Sequence, residues 1–202
     1  MAPSAVNGFT LRLTEAYAFD EDSIAIVCAH VVPGRPWLEF GVGHGRSMDF
    51  FTLFTREEIW GFDTFTGLPE DWCHPDGSVF LEKGHFATAV PNWFGANVHF
   101  VKGLFQDTLP AWLEQHGQAL GFVHIDCDLY SSAAFVLEQL EPWLDDAVVA
   151  LDEIRGVDYA VCNKGRAWKE FLQRGTYDAQ LLCLQHEYGA TFKMKKFHAG
   201  DR

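Results

Sequence analysis

EFGVGHGRS, at residues 39–47, decides the fold of this chain because it sets three glycines at alternate positions directly behind the apolar run Trp37–Phe40. Residues 48–54 are mostly apolar at helical spacing, so the unit predicts a strand, a glycine turn and a helix. Glycine permits positive φ and lets a ligand approach where a Cβ would collide. The start of the helix would offer unpaired N–H groups to a polar or anionic ligand. A turn with a purely structural role is the alternative.

A second apolar run, Ile59–Phe62, favours the ligand-binding interpretation. It ends in Asp63, about twenty residues after the glycines, where the second strand of a nucleotide-binding fold places its ribose-binding acid. The glycine spacing is G-x-G-x-G with Glu39 two positions ahead, and it differs from the G-x-G-x-x-G of many dinucleotide sites. The two features together predict a bound nucleoside.

Composition limits the class of protein. The 202 residues are 48% hydrophobic, which predicts one globular domain over 1–202, with a helical segment at 1–35. The formal charge of −13 disfavours nucleic acid and anionic membranes as partners. The five cysteines form no C-x-x-C pair. The apolar run Ile24–Val32 is too short to cross a bilayer of ~30 Å. We therefore expect a cytoplasmic protein without a signal peptide.

Strand and helix patterns alternate along the chain, which indicates a mostly parallel sheet with helices on both faces. The expected strands are Leu38–Val42, Ile59–Asp63, Val98–Lys102, Gly121–Asp126, Ala147–Asp152, Gln180–Gln185 and Ala190–Lys195. The expected helices are Asp20–Val32, Ser47–Thr55, Leu109–Gln115, Ser131–Leu144 and Lys164–Gln173. The last two strands have no helix between them, so the final strand should run antiparallel. Such a seven-stranded Rossmann-like α/β pattern is typical of class I methyltransferases.

The longest irregular stretch, residues 64–97, begins directly after Asp63 and carries several aromatic and histidine side chains. Loops of this length in a compact domain are usually functional or mobile, and we interpret this one as part of an acceptor pocket. An Ω-type loop whose aromatic residues only attach it to the core is the alternative.

Acidic residues follow two neighbouring strands of the predicted sheet. Asp126 ends one strand, and Asp152 and Glu153 end the next, so all three should meet at the edge of the ligand crevice. Clustered carboxylates need a counter-charge, and oxygen ligands suit Mg²⁺. A metal there could hold an acceptor hydroxyl and lower its pKa. The alternatives are that Asp128 caps the following helix and that Asp152 or Glu153 pairs with Arg155 or Lys164.

Two histidines are candidates for proton transfer. His85, in the long loop, is the better candidate base, because a neutral imidazole accepts a proton near pH 7. His124 lies inside a strand, and we interpret it as a core residue.

The chain resembles the macrocin O-methyltransferase-like group of class I S-adenosylmethionine-dependent methyltransferases. The segments that carry the resemblance are EFGVGHGRS (39–47), GFDTFTGLPEDW (61–72), VKGLFQDTLP (101–110), HIDCDLYSS (124–132) and LDE (151–153), with a weaker match at RAWKEF (166–171). The chain departs from the group in having Asp152-Glu153 where studied relatives have two aspartates. It also has Lys164 near a place where short members often carry an acid.

The resemblance implies a set of site residues. S-adenosylmethionine would lie over Gly41, Gly43 and Gly45, with Asp63 on the ribose hydroxyls. The remaining cofactor candidates are Gly103, Leu104 and Phe105 beside the adenine, together with Glu39, Ser47, Thr64 and Asp126. The metal ligands would be Asp126, Asp152 and Glu153.

The expected function is methyl transfer from S-adenosylmethionine to a hydroxyl of a small molecule, with Asp126 or His85 as base and Mg²⁺ as a possible aid. Compared with larger members of the group that it resembles, the chain is shorter at its N-terminus, which implies a substrate lid that is reduced or supplied by another subunit. Together with the apolar leading helix, this favours a homodimer. The alternatives are a cofactor-binding partner domain without activity and a metal-dependent hydroxylase of the cephalosporin-modifying type. A nicotinamide oxidoreductase is disfavoured by the glycine spacing.

Overall fold

The computed structural model describes residues 19–92, 95–154, 163–185 and 189–197. The strands are β1 (Trp37–Phe40), β2 (Ile59–Asp63), β3 (Trp72–Cys73), β4 (Val79–Leu81), β5 (Val98–Lys102), β6 (Phe122–Ile125), β7 (Val148–Leu151), β8 (Tyr177–Gln185) and β9 (Gly189–Lys196). The α-helices are α1 (Glu21–His30), α2 (Arg46–Phe51), α3 (Phe105–His116), α4 (Tyr130–Leu140) and α5 (Lys164–Gln173).

Seven of the strands form one sheet in the order β5-β2-β1-β6-β7-β9-β8. The first five in this order are parallel, and β9 pairs antiparallel with both β7 and β8. The predicted fold class, a mostly parallel sheet with an antiparallel last strand, is confirmed. The carboxyl ends of the five parallel strands therefore share one edge of the sheet, which is where ligands bind in this architecture.

Helices cover both faces of the sheet. The central strands β1, β6 and β7 are buried at every position, as expected for parallel strands between two helical layers. On one face α3, α4 and α5 bury Leu109, Val136 and Trp168, and on the other α1 and α2 bury Ile24 and Met48. Two cores thus pack against the two faces of the sheet.

Helix α1 begins where its sequence predicts. Asp20 is its N-cap, and its side chain accepts a hydrogen bond from the Ser23 backbone while the Ser23 hydroxyl accepts one from the Asp20 backbone. This reciprocal pair is a capping box, which satisfies two of the otherwise unpaired donors at a helix start. None of the helices in the described ranges has the length and apolarity to cross a membrane.

Four helices differ from their expected limits. Helix α1 ends at His30, two residues before the predicted Val32, because the backbone at Val31 is extended. The regular part of α2 ends at Phe51, because the next residues tighten into turns with i→i+3 hydrogen bonds that leave Leu53 exposed. Helix α3 begins at Phe105 and contains Pro110 in its interior, a residue expected near a helix start. Helix α4 ends at Leu140, and a 3₁₀ turn with Pro142 follows it.

The long connection at 64–97 contains a short hairpin, in which β3 pairs antiparallel with β4. Its base folds back on itself: the backbone at Gly67 lies against that of Gly84 and His85, so closely that a Cβ at Gly67 would stand 2.2 Å from the Gly84 carbonyl oxygen. The Thr88 hydroxyl lies 3.0 Å from Nδ1 of His44, which joins the connection to the glycine turn. The connection therefore lies against the carboxyl edge of the sheet.

Candidate active site

A cavity of about 340 Å³ opens at the carboxyl ends of β1, β2, β6 and β7. The glycine turn, the long connection, the start of α3 and the segments after β6 and β7 all contribute to its wall. The lining residues are Gly41, Val42, Gly43, His44, Asp63, Thr64, Gly67, Leu68, Pro69, Phe86, Ala87, Leu104, Phe105, Gln106, Asp126, Cys127, Asp128, Leu129, Ser132, Asp152 and Glu153. Its position matches the ligand crevice of open α/β sheets.

The glycine turn has the geometry that its sequence predicts. Gly41, Gly43 and Gly45 have φ of +94°, +51° and +77°, values that other residues rarely adopt. A Cβ at Gly41 would stand 2.3 Å from the carbonyl oxygen of Asp126, so the ends of β1 and β6 can approach this closely only with glycine there. The turn is thus a shallow cradle of backbone atoms beside an open cavity.

Asp63 fixes the shape of this cradle. Its Oδ2 accepts hydrogen bonds from the backbone N–H groups of Val42 (2.8 Å) and Gly43 (2.9 Å), and its Oδ1 accepts one from Phe65 (2.7 Å). Hydrogen bonds to a charged acceptor are stronger than neutral ones. A residue expected to bind ribose therefore also positions the turn that would hold the rest of the nucleoside.

We expect Asp63→Ala to weaken binding of S-adenosylmethionine about 10- to 100-fold, because each hydrogen bond to a charged group contributes about 1.5–3 kcal/mol and the cradle loses its support. Isothermal calorimetry measures this. The matched control is Asp178→Ala on the exposed face of β8, which should leave the affinity unchanged. An unchanged affinity in the Asp63 variant would remove both of its proposed roles.

Glu39 lies beneath the site. It is 1% exposed, and its Oε1 lies 2.8 Å from Nδ1 of His124, which is fully buried on the neighbouring strand. Burial raises the pKa of Glu39, although His124 and the Ser47 hydroxyl act in the opposite direction. The rings of Phe19 and Phe51 pack edge-on against the imidazole. His124 is therefore a core residue with a polar partner, as the sequence predicts.

Most of the site residues that the sequence predicts line the cavity. The wall includes Gly41, Gly43, Asp63, Thr64, Leu104, Phe105, Asp126, Asp152 and Glu153. Five other candidates lie outside the set that lines it: Glu39, Gly45, Ser47, His85 and Gly103. Gly103 lines an adjoining depression with Leu104 and Lys102. His85 is exposed, and its ring contacts that of Phe86, which does line the cavity.

The structure adds wall residues that the sequence reasoning did not assign. Asp128 and Ser132 belong to the segment HIDCDLYSS, whose family resemblance could have marked them. Gln106 lies in the first turn of α3, within the segment VKGLFQDTLP, so the resemblance could have marked it as well. Phe86 and Ala87 come from the long connection, where no pattern in the sequence distinguishes them.

The carboxylates after β6 and β7 surround a lysine. Lys164 is fully buried, and its Nζ donates a hydrogen bond to Oδ1 of Asp152. The same Nζ lies 3.8 Å from Asp126 Oδ1, 3.7 Å from Asp128 Oδ1 and 3.9 Å from Glu153 Oε2. Clustered carboxylates need a positive charge nearby, and in this structure a basic side chain, Lys164, provides it.

Burial and mutual contact both displace the pKa values of this group. Burial and the Asp152 carboxylate raise the pKa of Asp126 well above its ordinary value. Burial would also raise the pKa of Asp152, but the Lys164 ammonium and a hydrogen bond with Asp126 hold it below its ordinary value. Burial raises the pKa of Asp128, and raises that of Glu153 to about 7. For Lys164, burial would lower the pKa, but the four carboxylates raise it well above normal.

The magnesium site implied by the resemblance does not fit this arrangement. Mg²⁺ binds oxygen ligands at about 2.0–2.1 Å in near-ideal octahedral geometry. Here an ammonium group already lies among the carboxylates of Asp126, Asp152 and Glu153, so a divalent ion would meet a like charge there. One other group in the described part of the chain, Glu39, His124 and Asp126, brings potential ligand atoms within 4.8 Å, and two of its members already bind each other.

Comparisons with known proteins agree with the fold. A family model described as a methyltransferase domain matches residues 38–154. No curated protein sequence matches the chain significantly. Among solved structures, the calicheamicin methyltransferase CalS11 has a TM-score of 0.65 at 22% identity, over 85% of this chain and 76% of that one.

Two further structures show the same fold. The apo structure of CalS11, described as a TDP-rhamnose 3'-O-methyltransferase of calicheamicin biosynthesis, has a TM-score of 0.59 at 22% identity, over 85% of this chain and 78% of that one. The ribosomal protein L11 methylase from Lactobacillus delbrueckii subsp. bulgaricus has a TM-score of 0.50 at 11% identity, over 87% and 77%.

The cavity lies where the strand order reverses, between β1 and β6, and the glycine cradle forms part of its wall. The fold is that of class I S-adenosylmethionine-dependent methyltransferases. The chain belongs to the family of methyltransferase domains, whose model covers more than half of its length. The similar structures are named for a sugar and for a protein acceptor, so the fold alone does not choose the acceptor.

Proposed function

We propose that this protein transfers the methyl group of S-adenosylmethionine to a hydroxyl oxygen of a small molecule of sugar or natural-product type, as a member of the macrocin O-methyltransferase-like group. One observation carries the proposal. A single cavity is lined both by the glycine cradle with Asp63 and by the carboxylates of Asp126 and Asp128. A nucleoside site and a set of proton acceptors thus share one space, as transfer to a hydroxyl requires.

The cofactor side of the cavity fits a nucleoside. The backbone at Gly41 and Gly43 carries no Cβ, Asp63 offers carboxylate oxygens, and the side chains of Leu104 and Phe105 provide apolar surface. When bound, S-adenosylmethionine supplies a methyl group activated by a sulfonium. The chain's task is then alignment of the acceptor, which can contribute up to ~7–11 kcal/mol of rate enhancement.

The acceptor side offers proton acceptors. The acceptor oxygen would form its bond to the methyl carbon as the sulfur–methyl bond breaks and the demethylated thioether leaves, so the oxygen's proton must pass to a base. Asp126 is our first candidate because it lines the cavity and contacts Asp152. A raised pKa makes the ionised carboxylate a stronger base than an exposed aspartate would be. His85 is the second candidate, since it adjoins Phe86 in the wall. The step is assigned to these side chains and not to a metal, because Lys164 lies among the carboxylates.

We further propose that the protein works in the cytoplasm. Its described cysteines, Cys28, Cys73, Cys127 and Cys183, carry free thiols, which a reducing compartment maintains.

Calorimetric titration with S-adenosylmethionine and with its demethylated product tests the cofactor. We expect both to bind with Kd in the range of about 1 µM to 1 mM that enzymes show for their substrates, and NADH to give no heat. A screen of sugar, phenolic and polyketide hydroxyl compounds with labelled cofactor then seeks the acceptor. Binding of NADH but of neither methionine nucleoside would overturn the proposal. A labelled ribosomal protein in place of a labelled small molecule would overturn the acceptor class alone.

A further inference from the structure

Lys164 is an unusual residue for its position. Its side chain is fully buried, although lysine is among the residue types least often buried completely. It is also the first residue of α5, where the helix dipole disfavours a positive charge. Both effects oppose an ammonium group here, so its neighbours must compensate for them.

The compensation comes from two strand ends. Asp126 and Asp128 follow β6, Asp152 and Glu153 follow β7, and all four place a carboxylate oxygen within 3.9 Å of Nζ. Their side chains are 18–33% exposed on the cavity side, whereas the ammonium is 0% exposed. Lys164 therefore lies behind the carboxylates and carries the positive charge that they share.

We propose that the Lys164 ammonium takes the place of a divalent metal ion among these carboxylates, so that the protein holds Asp126 and Asp152 at the cavity wall without Mg²⁺. Lys164 is then a positioning residue, which acts on the acceptor through the carboxylates it neutralises. The consequence for catalysis rests on the proposed function: methyl transfer should proceed equally fast with EDTA and with added Mg²⁺.

Two features of the site support this exchange of one cation for another. A tethered ammonium provides a charge that chelators cannot remove, and its hydrogen bond to Asp152 fixes the orientation of that carboxylate. Removal of the side chain would leave four clustered carboxylates that repel each other, which is the arrangement that binds Mg²⁺ or Ca²⁺. The lysine and a metal ion are thus mutually exclusive occupants of the cluster.

Thermal unfolding with Mg²⁺ tests the proposal without cofactor or acceptor. Wild-type protein should show no saturable change in Tm up to about 10 mM Mg²⁺, with NaCl at matched ionic strength as reference. Lys164→Ala should begin with a lower Tm and gain about 5 °C or more as Mg²⁺ saturates the vacated cluster, as expected for an ion at about 100 times its Kd. The matched control is Lys169→Ala, an exposed lysine of the same helix, which should behave as wild type.

Each outcome decides the question. A folded Lys164→Ala protein that responds to Mg²⁺ no more than Lys169→Ala does would overturn the exchange. Should Lys164→Ala not fold, the wild-type titration decides alone: a saturable rise in Tm that Asp152→Asn removes would show a metal beside the lysine and refute the proposal. Neither readout involves methyl transfer, so a failure of the proposed function would leave this result standing, and the reverse also holds.

Discussion

A Gly41→Ala protein is expected to lose nearly all affinity for S-adenosylmethionine. The new methyl group would stand 2.3 Å from the carbonyl oxygen of Asp126 and 3.1 Å from the backbone nitrogen of Cys127, and φ at this position is +94°. Backbone strain of about 1–3 kcal/mol and overpacking of about 1–3 kcal/mol both act on the cradle. If the whole of this free energy opposes cofactor binding, the affinity falls by roughly 30- to 10⁴-fold. Any part that instead destabilises the folded protein lowers its Tm.

Calorimetry and thermal unfolding together measure both parts of this effect. The matched control is Gly77→Ala, in an exposed turn of the long connection, where φ is +84° but nothing lies within 4 Å of the new Cβ. The control carries the strain of a positive φ without the collision, so it should bind cofactor normally. Equal behaviour of the two variants would mean that the close approach of β1 to β6 has no part in the site.

For Asp126→Asn we expect nearly normal cofactor binding and methyl transfer slowed by about 10²–10⁴-fold, the usual contribution of a general base. The asparagine side chain has nearly the same size and shape as the carboxylate, so the cavity wall is preserved, but its amide cannot take the acceptor's proton. Single-turnover assays with the acceptor found in the screen give the rate, and calorimetry gives the affinity for the cofactor.

Asp22→Asn, on the exposed side of α1, is the matched control and should transfer methyl groups at the wild-type rate. Full activity in the Asp126 variant would exclude it as the base and move the assignment to His85. A parallel loss of cofactor binding would instead place Asp126 among the residues that hold the nucleoside.

Much of the fold could be predicted because residues that interrupt helices and strands lie at both ends of its apolar runs. The strands Ile59–Asp63 and Val98–Lys102 and the helix Lys164–Gln173 have the expected limits. The helix limits that differ are those where local signals conflict: Pro110 is a typical starting residue, yet α3 begins earlier because Phe105 and Leu109 are both buried in the core. Tertiary packing outweighs local preference at such points.

The part of the site that could be predicted consists of residues that directly follow the parallel strands. Asp126, Asp152 and Glu153 follow neighbouring parallel strands, so their meeting followed from topology. The pairing of Glu39 with His124 depends on β1 and β6 lying side by side, although they are far apart along the chain. The pairing of Asp152 with Lys164 was one of the alternatives that the sequence left open, and the tertiary packing that brings the start of α5 to the end of β7 decides it. Side chains from loops, such as Phe86, carry no periodic signal at all.

The insertion of β9 between β7 and β8 sets an order for assembly during synthesis. Strand β7 can pair with β6 as soon as both have left the ribosome, but its other edge stays open until β9, made after β8, arrives to fill it. All four residues of β7 are apolar and buried in the finished sheet, so the waiting edge is a surface on which nascent chains can associate. Chaperone contact during translation would therefore matter most in the interval between β7 and β9.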